Sequence, residues 1–350
     1  MANLRANNIV GVGSTDAGVV FDGITKINTQ NYFYLQTGNT ENRGRGRGVI
    51  MGGNRHTAPT NPDVNTIFYI DIATQGNAVN FGELTNVGGQ NACVSSSTRG
   101  ISSGGNPSTP TYSNIIEFIT IATTSNATDF GDLTTGRFAP RGMSSSTRGL
   151  FAGGRTPTYI NTIDYITIAS AGNSLDFGDL NTAIHAGQTG SSPTRGIYAG
   201  GQPGSSPFVV NTIDFVTIAS TGDATDFGDL ITDRKAAGSS SSSTRMVMGG
   251  GTNPALLQSI EYITIPTTGN SVSFGDLTGS EGRWGMSGMS NSIRGVFAGG
   301  YDPSPSTTSL NTMDFVTIAS TGNAQDFGDV NGSNGLFFGQ SCSDSHGGLS

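Results

Sequence analysis

Residues 161–180 read NTIDYITIASAGNSLDFGDL. Ile, Thr and Tyr dominate 161–170, a composition that suits a pleated, packed strand. Gly172-Asn173 tolerates positive φ and marks a tight hairpin turn. Residues 175–180 then resume as a second strand. Alternation puts Ile163, Tyr165 and Thr167 on one face and Asp164, Ile166 and Ile168 on the other. Both faces carry apolar groups, so this sheet packs between two neighbours instead of wetting one side.

Upstream, residues 148–154 (RGLFAGG) form a short apolar run ended by a Gly pair, and 138–146 (FAPRGMSSS) is a small-residue segment. Four short strands separated by Gly or Asn turns make one antiparallel sheet. The unit recurs six times. Its Asn and its Phe always stand 16 residues apart, as Asn65/Phe81, Asn114/Phe130, Asn161/Phe177, Asn211/Phe227, Gln258/Phe274 (with Gln for Asn) and Asn311/Phe327. A period of roughly 50 residues predicts an all-β propeller. One blade alone buries too little to be stable, whereas a closed ring buries both faces of every blade.

The second strand of each copy opens at Arg47, Arg99, Arg148, Arg195, Arg245 and Arg294, with His346 as a seventh such position. The copy at Arg47 lacks a first strand, and 336–346 match a first strand with no blade after it. The spacing therefore predicts six blades over 43–350, the C-terminal strand completing blade 1. Residues 19–39 faintly echo the repeat without its FGDL strand, which makes a seventh blade the less favoured alternative. Residues 1–42 are read as an extended anchoring arm carrying an apolar patch, Tyr32, Phe33, Tyr34 and Leu35.

Charged residues are 12% of the chain and Gly is 53 of 350, which fits many strands joined by tight turns and not a disordered polyelectrolyte. The net charge of −8 argues against nucleic acid, since phosphate binding needs a basic face. Arg43–Arg47 is too short a basic stretch to change that. Two cysteines make no disulfide framework. No apolar run is long enough to span a membrane, and the N-terminus lacks a secretory pattern, so synthesis in a cytoplasm is expected.

Paired glycines ending the second strand (Gly52-Gly53, Gly104-Gly105, Gly153-Gly154, Gly200-Gly201, Gly250-Gly251, Gly299-Gly300) resemble the kelch repeat, over residues 43–350. The strand order and C-terminal closure are similar too. Kelch blades usually carry a Trp and a Tyr at set positions, and here the one Trp, Trp284, stands elsewhere. The wording of the repeats (SSSTRGxFAGG, a terminal SDSHGGL) resembles kelch-like proteins of phages that infect marine cyanobacteria. That resemblance implies a virion protein present in several copies.

Glu117, Asp164, Asp214, Glu261 and Asp314 recur after the NTI segment, with Phe68 in blade 1. They are expected to form structural ion pairs with Arg99, Arg148, Arg195, Arg245 and Arg294, because buried charges must pair. The paired acids of the DFGD segments (Asp129/Asp132, Asp176/Asp179, Asp226/Asp229, Asp326/Asp329) read as turn residues bonding their own backbone; calcium needs more convergent oxygens. His56, His185 and His346 lack metal-ligand spacing. No metal, cofactor or catalytic residue is expected.

Length variation concentrates in the loops after the Gly pairs, at 54–64, 106–113, 155–160, 202–210, 252–257 and 301–310. A constant scaffold with one variable rim is what a contact surface requires, although unconstrained loops vary as well. His56, Tyr112, Tyr159, Phe208, Leu256, Leu257 and Tyr301 are the candidate contact groups. The expected function is a non-enzymatic virion propeller, in a tail fibre or host-surface contact, touching a host protein or glycan by its rim and other virion proteins by residues 1–42. Capsid decoration, a cellular kelch-type adaptor gripping a peptide, and an enzyme with a deep pocket are the alternatives.

Overall fold

A computed structural model describes residues 46–55, 63–106, 112–279, 282–303, 308–330 and 335–349. It is an all-β ring of six antiparallel blades, a six-bladed β-propeller. Blade 3 shows the pattern. Arg141–Ser144 is innermost, followed outward by Arg148–Ala152, Thr162–Thr167 and Leu175–Asp179. Blade 4 extends its second strand to Pro203, where it also pairs Ile184–His185.

The ring closes as the repeat spacing requires. Gln340–Ser343 pairs antiparallel with Arg47–Asn54, so the C-terminal strand is the innermost strand of blade 1. His346 opens no strand. It lies beyond that strand, next to the short 3-10 turn Gly347–Leu349. The proposed arm and its patch, Tyr32 to Leu35, lie outside the described residues.

The constant 16-residue spacing has a structural cause. Between the third and fourth strands of every blade the register skips one residue: Ile163 faces Gly178 while Asp164 faces Asp176. The skipped residue is the repeating Phe, here Phe177, and the same bulge recurs at Phe81, Phe130, Phe227, Phe274 and Phe327. A bulge re-aims its side chain, and each Phe is buried among residues of its own blade and the next. Gly178 follows at φ 143°, and a Cβ there would meet the Gly222 carbonyl of the next blade at 2.5 Å. One residue more or less between Asn and Phe would turn this ring out of the core.

Six apolar clusters fill the six gaps between blades. Ile163, Phe177 and Leu180 pack forward against Val216 and Ile218 of blade 4. Phe151, Ile166 and Ile168 pack backward against Ile101, Ile116 and Phe130 of blade 2. The last cluster joins Val296, Met313 and Phe327 of blade 6 to Ile50, Phe68 and Ile70 of blade 1. Burying each such side chain contributes about 1.5–3 kcal/mol, so closure completes a sixth interface equal to the others.

The strand-opening arginines do not pair with the recurring acids. Arg148 faces Thr167 and Asp164 faces Phe151, which places them on opposite sides of the sheet. Each guanidinium instead lies over the third-strand aromatic of its own blade, 4.2–4.8 Å from the ring centre. Its Nη1 donates to a carbonyl of the next blade: Arg47 to Ile121, Arg99 to Ile168, Arg148 to Ile218, Arg195 to Ile265, Arg245 to Ile318, and Arg294 back to Ile72. Among the described residues none of these arginines is within ion-pair distance of an acid, although Arg47 acts on Asp344, and together they strap the ring through neutral carbonyls.

The acids are satisfied by the links between blades. Asp164 meets Arg137 at 3.0 Å, Asp314 meets Arg283 at 2.8 Å, and Glu261 pairs with Arg234, all buried. Burial lowers the pKa of these three arginines, and for each the paired acid works the other way. Among the described residues Glu117 and Asp214 have no such arginine. Glu117 accepts from the Thr85 amide and hydroxyl, and Asp214 from Asn181. Burial raises both of their pKa values. In blade 1, where Phe68 replaces the acid, the neighbouring link residue in the ion-pairing position is Leu336, and the two share one apolar cluster.

Candidate binding face

Antiparallel connectivity gives the ring two unlike faces. The turns joining first to second and third to fourth strands emerge on one, the turn face. The Gly pairs, the variable loops and the links to the next blade emerge on the other, the loop face.

At the turn-face end of the channel the innermost strands end in Ser95, Ser144, Ser191, Ser241, Ser290 and Ser343. The amides of Ser95, Ser144, Ser191 and Ser241 donate to the hydroxyls of Ser144, Ser191, Ser241 and Ser290 in turn. The hydroxyls of Ser95, Ser343, Ser290 and Ser241 donate to the carbonyls of Ser343, Ser290, Ser241 and Ser191. A small hydroxyl residue recurs six times because each reaches a backbone group of a neighbouring blade, and Ser241 and Ser290 reach both an amide and a carbonyl. The C-terminal turn plugs this end. A Cβ on Gly348 would clash with the Ser144 carbonyl, and one on Gly347 with those of Ser242 and Ser191. His346 Nε2 donates to the Ser95 carbonyl at 3.1 Å, while its Nδ1 accepts from the Gly348 amide at 3.1 Å. Only the neutral imidazole does both, and burial holds its pKa down at about 4, partly opposed by the Ser95 bond.

At the loop-face end a second closed circle surrounds the channel. The amides of Gln90, Phe338, Gly285, Ala236, Ala186 and Ala139 each donate to the carbonyl of the next, and Ala139 returns to Gln90. All six have left-handed φ, between 51° and 69°. That conformation costs non-glycine residues roughly 1–2 kcal/mol each, offset here by the bonds of the circle.

The residue before each of these is Gly89, Phe138, His185, Lys235, Trp284 or Phe337. Each bridges the residue following a Gly pair: Asn106, Arg155, Gln202, Thr252, Tyr301 and Asn54. Their side chains ring the mouth. Trp284 lies edge-on to Tyr301 at 6.1 Å and to Phe338 at 5.1 Å, and Phe337 lies 5.4 Å from Tyr301. Across the mouth, Phe138 and Tyr159 contact His185 at 5.7 and 5.0 Å, with Arg155 over Tyr159. Lys235 donates to Gln202, which donates to the Tyr159 hydroxyl. Burial holds the His185 pKa down at about 4, against its bond to the Gln202 carbonyl.

Of the rim residues expected from sequence, Tyr301 falls within the Trp284 arc and Tyr159 within the His185 group across the mouth. Among the described residues no ring contact joins Phe208 to either; that side chain is 70% exposed. Leu256 and Leu257 are half-buried in a small turn, where Thr252–Asn253 pairs with Ala255–Leu256, and Tyr112 is half-buried. His56 lies outside the described residues. Sequence reasoning missed Phe138, His185, Lys235, Trp284 and Phe337. Their signal was positional: Phe138, His185 and Lys235 stand eight residues after the repeating Phe, and Trp284 and Phe337 ten.

The channel between the two circles is a cavity of about 80 Å³. Its titratable lining groups among the described residues are Arg141, Cys93, Cys342 and His346. Burial pushes the Cys342 thiol up to about 12 and the Cys93 thiol well above its ordinary value, so neither is a ready nucleophile. No group of three or more His, Cys, Asp or Glu is placed to hold a metal among the described residues. Among the described residues no helix is long and apolar enough to cross a membrane. No protein-family model matches the chain, and no curated protein matches it. The six-bladed ring itself suggests a protein-binding module.

Proposed function

We propose that this propeller is a non-enzymatic binding module displayed on a phage virion, presenting its loop face to a protein or glycan on the host surface. The aromatic arc of Trp284, Tyr301, Phe337 and Phe338 at the mouth carries the binding reading. Aromatic rings on a rim that also carries polar tips (Lys235, with Arg155 and Tyr159 across the mouth) are the chemistry that recognises proteins and sugars. The virion part rests on the resemblance of the repeats to kelch-like phage proteins, with residues 1–42 as the anchor to other virion proteins. A tail-fibre position is favoured over capsid decoration. Against a cellular adaptor stands the use of the turn-face serines Ser95, Ser241, Ser290 and Ser343, whose hydroxyls are spent on holding the blades together.

The test has two arms. Electron microscopy of an intact particle should show the ring, with residues 1–42 buried against a neighbour. The purified chain should bind host envelope fractions or a glycan array, and Trp284→Ala with Phe337→Ala should lower that binding at least tenfold with cooperative unfolding retained. Binding that survives the double substitution removes the loop-face reading; a particle without the ring removes the virion reading.

A further inference from the structure

Arg141 begins the innermost strand of blade 3 and lines the channel, yet it is only 4% exposed. Its Nε donates to the Gly187 carbonyl at 2.8 Å and its Nη1 to the Pro140 carbonyl at 3.0 Å. Both acceptors are neutral, and none of the three buried ion pairs includes it. Nη2 has no acceptor among the described residues. The ionisable groups that act on it, Cys93 and Tyr198, are both driven toward their neutral forms by burial, Tyr198 to about 12.

A buried guanidinium without a counter-charge is costly, and proteins ordinarily pair it. The fold does not require it here. The aligned positions on the other innermost strands are Ala92, Gln188, Gly238, Ser287 and Gln340, all neutral. Thr189 lines the same cavity, and the Ser239 hydroxyl there already donates to the Thr189 carbonyl at 2.8 Å. The space of about 80 Å³ exceeds the roughly 10–15 Å³ that one water needs, and matches a carboxylate or phosphate rather than a drug-sized ligand.

We propose that the channel is a binding site for one small free oxyanion of carboxylate or phosphate type, held by the Arg141 guanidinium with the hydroxyl of Thr189. Planar oxyanions take parallel bonds from a guanidinium. A free anion suits the enclosed space better than an acidic side chain of a partner, because the C-terminal turn closes one end and the backbone circle narrows the other. The site is independent of the loop-face reading. The net charge of −8 repels anions in general, so a saturable response marks a local site.

The experiment is calorimetric melting of the full chain in phosphate, acetate and chloride at equal ionic strength and neutral pH. Phosphate or acetate should raise Tm by on the order of 5 °C with saturation, and chloride should not. Arg141→Gln, which installs the residue of two aligned positions, should abolish the response. Thr189→Val retains the charge and should raise the half-saturating concentration several-fold. If Arg141→Gln does not fold, isothermal titration of the unaltered chain with phosphate decides: one-to-one binding supports the site, and no heat overturns it. An equal response to chloride, or one retained in Arg141→Gln, also overturns it. Tetraglutamate that binds where free acetate and phosphate do not would overturn the free-anion assignment in favour of a partner's carboxylate.

Discussion

At the turn face every blade offers the same serine and the same arginine strap. At the loop face the six equivalent mouth positions hold Gly89, Phe138, His185, Lys235, Trp284 and Phe337, with no two neighbours alike. The difference is one of mechanical duty. Turn-face residues reach into the adjacent blade, so each is constrained by the backbone of a neighbour. Loop-face side chains stand above a circle closed by backbone alone, and that circle accepts almost any residue. A ring can therefore keep its stability at one end and vary its surface at the other.

The strongest way to break this contrast is to remove the turn-face closure. Deleting residues 334–350 takes away the innermost strand of blade 1 and the plug together. Cooperative unfolding should be lost, since the exposed edge and two opened interfaces outweigh a total stability of about 5–15 kcal/mol. Deleting only residues 346–350 should leave a folded ring that melts lower. Unchanged melting of the longer deletion, read by calorimetry, would refute the closure.

Within the links, two kinds of acid can be set against each other. Asp164→Asn leaves Arg137 buried without its counter-ion and should cost about 3–5 kcal/mol in urea unfolding. Asp214→Asn removes a carboxylate held by Asn181 alone and should cost about 1 kcal/mol. Equal losses would mean that the ion pair adds nothing specific.

The two histidines report the two ends. Each has a folded pKa of about 4 against an ordinary 6.5. The unfolded chain therefore binds more protons between these values. Their stabilisation is complete above pH 6.5 and is lost as pH falls toward 4, on the order of 3 kcal/mol per residue. Glu117, Asp214 and Asp344 have raised pKa values and act in the opposite sense at the acidic end of that window. The informative quantity is thus a difference. His346→Asn should flatten the stability curve between pH 6.5 and 4 by about one proton's slope. A His346 variant with the unaltered slope would show that the plug does not depend on the neutral ring.

Much of this ring was legible in the sequence because its repeats are held by position. The 16-residue spacing encodes the bulge that buries Phe177 and its five equivalents, and the unpaired C-terminal segment encodes the closure. The arginine pairing was misread for a reason of geometry. Arg148 and Asp164 sit on opposite sides of one sheet, a fact visible only once the register of Phe151 against Asp164 is known. Arg137, Arg234 and Arg283 stand seven or nine residues after the repeating Phe, but only three of the six links carry an arginine there, so the position does not read as part of the repeat. The mouth residues Trp284 and Phe337 were hidden similarly, because their function depends on a backbone circle assembled from all six blades.

The mildest test concerns Phe208, one of the rim residues expected from the variable loops. It is 70% exposed, and among the described residues it makes no ring contact with the aromatic arc. Phe208→Ser should change stability by no more than about 0.5 kcal/mol, as surface substitutions without partners do. Phe337→Ala removes a half-buried ring packed on Tyr301 and Phe338, and should cost a measurable 1–2 kcal/mol, about the value of a partly buried aromatic contact. If the loop face tolerates variation because a backbone circle carries it, both variants must still unfold in one transition with the same denaturant slope. A split transition in Phe337→Ala would show that the arc itself helps hold blade 1 in place, and the division of labour between the faces would have to be redrawn.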